Sequence, residues 1–247
     1  MLEIFKLNHS LDFPSLEFAL EEPNGLLAFG GDLSPKRLKM AYKNGIFPWY
    51  SEQEPILWWS PEPRAIFYAD EISANKTLRK NIKKFGYYAS LNKDFNAVID
   101  NCANVPRVNS STEISAEVSN DSSSSTWINV DMMNAYTHLH ELGYAHSVEV
   151  YNSEDKLVGG LYGVVVSGVF CGESMFHLSN DASKTALLAL AQHMLNHGMN
   201  IIDCQLVNPH LLSLGCKTVS RKQFLHLLEN NKHMVDCWGT KDLIISL

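Results

Sequence analysis

Residues 146–176 read HSVEVYNSEDKLVGGLYGVVVSGVFCGESMF, and this stretch decides the fold. Turn-forming residues at 152–155 and 167–168 divide it into three segments, of which the first alternates between polar and apolar residues and the other two are largely apolar. Apolar segments of this length, separated by short turn signals, are typical of antiparallel strands joined by tight turns. The sequence therefore predicts a three-stranded meander, with strands at residues 146–151, 156–166 and 169–176.

The chain after the meander predicts a helix, a strand and a second helix. Ser179, Asn180 and Asp181 are candidate caps for a helix that runs to Gly198. A buried strand follows at residues 200–207, and the S-x-x-Q pattern of Ser220 opens the last helix, which a short tail follows. The last strand is expected to pair beside the meander, which predicts an α+β protein with a mixed sheet. The acetyltransferase-like (GNAT) fold has this element order.

The first sixty residues are rich in Pro, Gly and Trp. Ser34 and Pro35 predict the start of a helix that ends at Gly45. A compact loop at residues 46–64 carries three tryptophans and leads into a short strand near residues 65–68. The full length of 247 residues fits one large domain or two unequal ones.

Composition excludes several classes of protein. The net charge of −7 argues against a protein that coats nucleic acid over its whole surface. No apolar run approaches the roughly 20 residues that span a bilayer, and the amino terminus does not read as a signal peptide, so we expect a cytoplasmic protein. Five cysteines without a CxxC pair predict buried thiols rather than a zinc site. P-loop, HExxH and dinucleotide fingerprints do not occur in the sequence.

Two segments carry unusual polar composition. Five cations at helical spacing predict one wholly positive helix face, here called the basic face: Lys76, Arg79, Lys80, Lys83 and Lys84. Such a face is either a solvated surface or a site for an anionic partner. Residues 108–125 have almost no apolar content and predict a mobile surface loop.

Three polar residues lie in otherwise apolar predicted strands. Asp203 and Gln205 are two positions apart, so strand alternation would place both side chains on one face. Glu173 has a similar setting on the third meander strand. Buried polar groups need partners, so the three form a candidate site. A structural polar network that fixes strand register is the alternative.

Aromatic and histidine residues are further candidates. Trp49, Trp127 and Tyr136 could stack on nucleobases, with core packing as the alternative for each. The cluster of His138, His140 and His146 invites a metal site, but histidines two apart on a helix point in different directions. We interpret these three as surface residues.

Nine motifs resemble those of the bacterial leucyl/phenylalanyl-tRNA–protein transferases. They occur in order between Pro23 and Asn208, and motifs of this length are very specific. The matching stretches are PNGLLAFGGDLSP, AYKNGIFPWY, PILWWSPEPRA, STWI, AYTHLHELGYAHSVEV, VGGLYGV, FCGESMF, NDASKTALL and IDCQLVN.

The resemblance implies a small amino-terminal domain at 1–62 and an acetyltransferase-like catalytic domain at 63–247. It also implies transfer of leucine or phenylalanine from tRNA to proteins that begin with Arg or Lys, which marks them for N-end rule degradation. Neither a metal nor coenzyme A is implied, no membrane is expected as a partner, and a monomer is favoured.

The resemblance also assigns roles by position. Asp203 and Gln205 match the family's catalytic pair, and Glu173 matches the carboxylate that organises the acceptor. Positions that hold the tRNA's terminal adenosine correspond to Trp49, Trp127 and Tyr136. The basic face matches a tRNA-contacting cluster. An apolar aminoacyl pocket would be formed by Leu161, Phe170, Leu187, Leu190, Met194 and Ile202.

The chain departs from the family pattern at several positions, and two rival functions are also compatible with parts of the sequence. The segment from Asn129 to Asp131 replaces a usual Thr-Arg-Gly, and Leu190 and Met194 replace aromatic pocket residues, so preference among leucine, phenylalanine and methionine is open. An acetyltransferase using acetyl-coenzyme A would share the fold, but residues 176–183 contain no glycine-rich pyrophosphate loop. An RNA-binding module would leave Asp203, Gln205 and Glu173 without a role.

Overall fold

The computed structural model describes residues 4–104, 127–230 and 237–247. The strands in these ranges are β1 (Phe5–Leu7), β2 (Leu26–Gly30), β3 (Phe47–Pro48), β4 (Leu57–Trp59), β5 (Arg64–Tyr68), β6 (Tyr88–Leu91), β7 (Ala145–Tyr151), β8 (Leu157–Val166), β9 (Val169–His177), β10 (Ile201–Gln205), β11 (Lys217–Val219) and β12 (Lys241–Leu243). The helices are α1 (Pro35–Lys43), α2 (Lys76–Phe85), α3 (Phe95–Asn104), α4 (Val130–Glu141), α5 (Ala182–Asn196), α6 (Pro209–Ser213) and α7 (Arg221–Asn230).

A mixed eight-stranded sheet forms the centre of the α+β fold. Its strand order is β11-β5-β10-β9-β8-β7-β6-β12, and a four-stranded sheet has the order β1-β2-β4-β3. The predicted meander is confirmed as β7, β8 and β9, which pair antiparallel in sequence. The predicted last strand is also confirmed, because β10 pairs beside the meander, parallel to β9.

Apolar clusters cover both faces of the large sheet. One cluster joins the four-stranded sheet, α1, α3 and α4 to one face of the sheet. The other packs α2 and α5 against the opposite face. Successive side chains of a strand point to opposite faces, and accordingly Ile201 belongs to the first cluster and Ile202 to the second. A polar residue on these strands therefore has one of two different environments.

Side-chain caps begin most of the predicted helices. The hydroxyl of Ser34 accepts from the backbone N–H of Arg37 at the start of α1. At α7, Ser220 and Gln223 form the reciprocal capping box that the sequence predicts. The prediction for α5 is wrong in one respect. Asp181 precedes this helix with φ +62°, and its carboxylate makes no capping bond but binds Lys184 and Asn81 instead.

Several short strands lie where the sequence predicts a loop or nothing regular. The predicted compact loop at residues 46–64 contains β3 and β4, which pair with each other, and β4 also pairs with β2. The carboxyl-terminal tail forms β12 at the sheet edge, beside β6. Strands of two or three residues carry too little periodicity to predict, because their stability comes from partners distant in sequence.

The described residues do not test two of the sequence predictions, the mobile loop and the division into domains. The predicted mobile loop at residues 108–125 lies outside the described residues. The predicted domain boundary between Glu62 and Pro63 falls between the last strand of the small sheet and β5 of the large one, and the division into two domains stays a prediction. In the described parts of the chain, no helix is long and apolar enough to cross a membrane.

Candidate active site

The candidate site lies where two neighbouring strands carry β-bulges. On β9, Gly172 and Ser174 oppose consecutive residues of β8, so Glu173 is the extra residue. On β10, the register against β5 shifts between Asp203 and Gln205, and Gln205 has φ +58°. A non-glycine residue in this region is strained, and bulges often re-aim side chains beside active sites. Both bulges therefore mark the same place in the sheet.

A buried ion pair anchors the site. Nε and Nη2 of Arg64, at the start of β5, contact Oδ1 and Oδ2 of Asp203 at 2.7 and 2.8 Å. Arg64 is 1% exposed and Asp203 is 0% exposed. Burial alone would lower the pKa of Arg64, but the Asp203 carboxylate outweighs it and raises that pKa. Asp203 is thus a neutralised, fixed carboxylate rather than one open to substrate.

Glu173 has a different environment from Asp203, since its partners are phenols. The hydroxyl of Tyr136 donates to Glu173 Oε2 at 2.8 Å, and the Tyr42 hydroxyl contacts that of Tyr136. Burial raises the pKa of Glu173 to about 7, although hydrogen bonds from the two tyrosines oppose this shift. Burial and the nearby Glu173 charge raise the pKa values of Tyr42 and Tyr136 well above their usual range, so both remain neutral donors. Glu173 can therefore exchange a proton near neutral pH.

Gln205 connects the two carboxylates. Its backbone N–H donates to Asp203 Oδ1 at 3.0 Å, and its side-chain amide donates to Glu173 Oε1 at 3.4 Å. Because the register shifts at Cys204, simple alternation does not set the direction of Gln205. The bulge and the Asp203 contact set it instead. The structure thus brings together the three predicted polar residues.

The predicted aminoacyl pocket lies across the sheet from these polar groups. All six of its residues belong to the apolar cluster beneath α5, and none is more than 7% exposed. Ile202 and Asp203 are adjacent on β10 and point to opposite faces. Pairing between β9 and β10 ends at Cys171 and Asp203, whereas β9 continues against β8 to His177. Beyond this point β9 and β10 diverge, and Glu173 and Gln205 lie just past the end of their pairing.

The three predicted stacking aromatics are not equally accessible. Trp49 and Trp127 are half-buried. The Asn129 side chain hydrogen-bonds Tyr50, which joins the segments that carry the two tryptophans. Tyr136 is 0% exposed, so its ring presents no face to a base in this conformation. Its hydroxyl instead positions Glu173.

The basic face is confirmed as the exposed side of a helix. All five cations of α2 are exposed, while Leu78 and Ile82 on the opposite side are buried. Over the ranges that the structure covers, none of the five pairs with a carboxylate within 4.0 Å. Their charge is available to an anion.

The other sequence candidates have mixed outcomes. His138 is exposed as predicted, but His146 is 4% exposed on β7, where it stacks on Trp238, so its interpretation as a surface residue is wrong. Its apolar neighbours on β7 and the aromatic ring explain the burial. Four of the five cysteines are buried and Cys204 is half-buried, and no disulfide joins them in the described structure.

Sequence reasoning missed Arg64, Tyr42 and Glu149. Arg64 precedes a predicted strand, and the need of a buried carboxylate for a cation was the available signal. Glu149, on β7, is 0% exposed and accepts from the hydroxyls of Ser90 and Ser147 and from the N–H groups that precede α3. It is a structural carboxylate, which sequence position alone does not distinguish from Glu173.

A carboxylate that titrates near neutrality beside a fixed buried ion pair is the kind of site that enzymes use for proton transfer. Comparisons with known proteins define the class further. The profile of a family described as "Leucyl/phenylalanyl-tRNA protein transferase" matches residues 66–229, and that of its N-terminal domain matches residues 31–62.

Full-length relatives agree with these matches. A protein named leucyl/phenylalanyl-tRNA–protein transferase from Pseudoalteromonas atlantica is 51% identical over 246 residues, or 98% of this chain and 99% of its own. Its namesake from Shewanella loihica is 46% identical over 245 residues, 98% of each chain. The chain belongs to the leucyl/phenylalanyl-tRNA–protein transferase family, a family of aminoacyltransferases. Among solved structures, "The structure of L-PGS from Bacillus licheniformis" covers 74% of this chain and 54% of its own at 11% identity, with a TM-score of only 0.38.

Proposed function

We propose that this chain transfers leucine, phenylalanine or methionine from aminoacyl-tRNA to the amino-terminal Arg or Lys of acceptor proteins. The transfer forms a peptide bond and marks the acceptor for N-end rule degradation in the cytoplasm. The observation that carries the proposal is the contact between Glu173 and Gln205, at bulges of two neighbouring strands, beside the Arg64–Asp203 pair. The names of the family and of its full-length members support the same reaction.

The proposed reaction needs no nucleophile from the enzyme, because an aminoacyl ester is already activated. The acceptor nitrogen attacks the ester carbonyl, an N–C bond forms, and the C–O bond to the terminal ribose breaks. The ribose oxygen leaves with a proton. Alignment of ester and amine is the main catalytic task, and it can be worth an effective molarity of about 10⁵ M or more.

Glu173 is the better candidate for the proton acceptor. The incoming ammonium group must lose a proton before attack, and a base is most effective when its pKa lies near the working pH. Glu173 has a pKa of about 7, whereas both oxygens of Asp203 are held by Arg64. We assign removal of the amine proton to Glu173. Asp203 has the role of holding Gln205 in position.

Gln205 is suited to orient the acceptor amine. Its amide nitrogen donates to Glu173, which leaves its carbonyl oxygen to accept a hydrogen bond from the incoming nitrogen. The fixed contact between its backbone and Asp203 holds this geometry. Half-buried Glu173 also supplies the charge that favours a cationic acceptor.

The aminoacyl side chain would pass between β9 and β10 into the apolar cluster beneath α5. A large apolar side chain gains about 1.5–3 kcal/mol on full burial, whereas a polar one would lose its hydration. Met194 has an adaptable side chain, and together with Leu190 it would admit leucine, phenylalanine or methionine. The meander, the parallel β10 and this divergence support an acetyltransferase-like catalytic domain at 63–247 after a smaller domain at 1–62.

Trp49 and Trp127 are the proposed contacts for the terminal adenosine. Both are half-buried, and the hydrogen bond between Tyr50 and Asn129 joins the segments that carry them. We keep Tyr136 in this site as the residue that positions Glu173, rather than as a stacking platform. The basic face of α2 would bind the tRNA backbone.

The basic face gives a testable salt dependence. Lys80→Gln together with Lys83→Gln should weaken charged-tRNA binding, because fewer counterions are released. The slope of log Kd against log salt should fall by roughly 0.7–0.9 for each phosphate that no longer meets a lysine. Binding isotherms at four salt concentrations measure this slope. The matched control is Lys222→Gln, an exposed lysine of α7; equal slopes for control and double variant would contradict the assignment.

Transfer of radiolabelled leucine from leucyl-tRNA to a protein with amino-terminal Arg tests the proposed function. Label should appear on this acceptor and be absent from matched acceptors that begin with Met or Glu. Acetyl-coenzyme A replaces the charged tRNA in a parallel reaction, and acetylation there would favour the acetyltransferase. Tight tRNA binding without any transfer would favour the RNA-binding module.

A further inference from the structure

A second group of polar side chains lies at the carboxyl-terminal end of α5, away from the candidate active site. It consists of His193 and His197, four positions apart, and Cys237 from the segment before β12. One ring nitrogen of each histidine and the Cys237 sulfur all lie within 4.8 Å of one another. The two imidazole rings have their centroids 4.5 Å apart.

The His193 ring has an unusual, unsatisfied nitrogen. His193 is 5% exposed, and its Nε2 has less than 1 Å² of accessible surface and no hydrogen-bond partner. Leaving a buried polar atom unsatisfied destabilises the folded protein, so such atoms in native proteins call for an explanation. A lone pair that binds a metal ion would remove this cost.

The histidine protons are arranged as in metal sites. The Nδ1–H of His197 donates to the carbonyl oxygen of His193 at 2.7 Å, which leaves its Nε2 as an acceptor. The backbone of Cys237 hydrogen-bonds the His193 ring. Metal-binding histidines usually donate their other ring N–H to a carbonyl or carboxylate in this way, and the bond fixes ring orientation and tautomer.

We propose that His193, His197 and Cys237 bind a divalent transition-metal ion, with Zn²⁺ as the best fit to two imidazoles and one thiolate. Binding releases the thiol proton of Cys237 to solvent, and both histidines bind as neutral rings. Ligand atoms around tetrahedral zinc are about 3.5 Å apart, so the three side chains must close by about 1 Å. Half-buried His197 leaves one side of the site open to a water molecule as the fourth ligand.

The metal would fasten the carboxyl-terminal segment onto α5. Trp238, adjacent to Cys237, contacts the His193 ring edge-on at 5.2 Å and stacks on Phe170 at 5.7 Å. Phe170 belongs to the apolar cluster proposed to hold the aminoacyl side chain. The bound metal would therefore hold the carboxyl-terminal segment against α5, next to that pocket. It would have a structural role and take no part in aminoacyl transfer.

Metal titration of the full chain, reduced, freed of metal by a chelator and carrying no histidine tag, tests the proposal. Calorimetry should show one Zn²⁺ per chain, with low-micromolar or tighter affinity. Co²⁺ should give the absorption of a tetrahedral site and a thiolate-to-cobalt charge-transfer band. Cys237→Ser should abolish that band, and His193→Gln should weaken Zn²⁺ binding at least tenfold, the least that loss of a ligand's supporting hydrogen bond costs.

The control variants are Cys102→Ser, a buried cysteine of α3, and His226→Gln, an exposed histidine of α7. Both should bind Zn²⁺ and Co²⁺ like the unaltered chain. If a buried variant fails to fold by circular dichroism, His197→Gln, at a half-buried position, decides the outcome. Absence of micromolar binding, or binding that the folded ligand variants leave unchanged, would overturn the proposal.

Discussion

Replacement of Glu173 by glutamine is expected to lower kcat for aminoacyl transfer by about 10²- to 10⁴-fold, the usual contribution of a positioned general base. Glutamine keeps the size of the side chain and can still accept from Tyr136, but it cannot take the amine proton. Charged-tRNA binding should persist, because the site proposed for the adenosine is formed by other residues. Single-turnover transfer rates and equilibrium binding measure the two effects separately.

The pH dependence of the same variant provides a sharper test. With a pKa of about 7, Glu173 is protonated and inactive as a base in acid, so the rate should rise as pH increases through 7. The acceptor amine, with an ordinary pKa of about 8, adds a second rise at higher pH. Glu173→Gln should remove the first rise and keep the second.

The matched control is Glu149→Gln, which alters a carboxylate buried on the same meander but held by Ser90 and Ser147. This variant is expected to lose stability, while its folded fraction keeps the inflection near pH 7. If Glu173→Gln retained that inflection, or transferred leucine at the unaltered rate, Glu173 would not be the base.

Substitution of Arg64 by methionine is expected to reduce the free energy of unfolding by about 3–5 kcal/mol, because it leaves the Asp203 carboxylate buried without its cation. Methionine is apolar and similar in length, so the missing charge rather than the change in volume dominates. Urea unfolding at neutral pH measures the change. Transfer activity should fall as well, because Asp203 then no longer holds Gln205 in a fixed position.

A double-mutant cycle separates the ion pair from packing. Combining Arg64→Met with Asp203→Asn removes both charges and should recover at least half of the stability lost in Arg64→Met. Asparagine can still accept the Gln205 N–H. Additive losses in the double variant would show that the two residues do not stabilise the fold as a pair.

Local chemistry let the sequence determine much of the framework. The basic face of α2 follows from helical periodicity, and the capping box at Ser220 follows from residues three positions apart. Two turn signals divide residues 146–176 into the observed meander. Asp203, Gln205 and Glu173 stood out because polar residues on apolar strands need partners.

Only the tertiary structure decided how those polar residues differ. Both Glu149 and Glu173 lie on meander strands, but hydroxyls and N–H groups surround the first, whereas a bulge and two phenols hold the second. Arg64 meets Asp203 across 139 positions of the chain, and no local pattern encodes such a contact. Short strands such as β12 likewise depend on distant partners. Periodicity and capping act within a few residues, while pKa, burial and ion pairing depend on neighbours that only folding brings together.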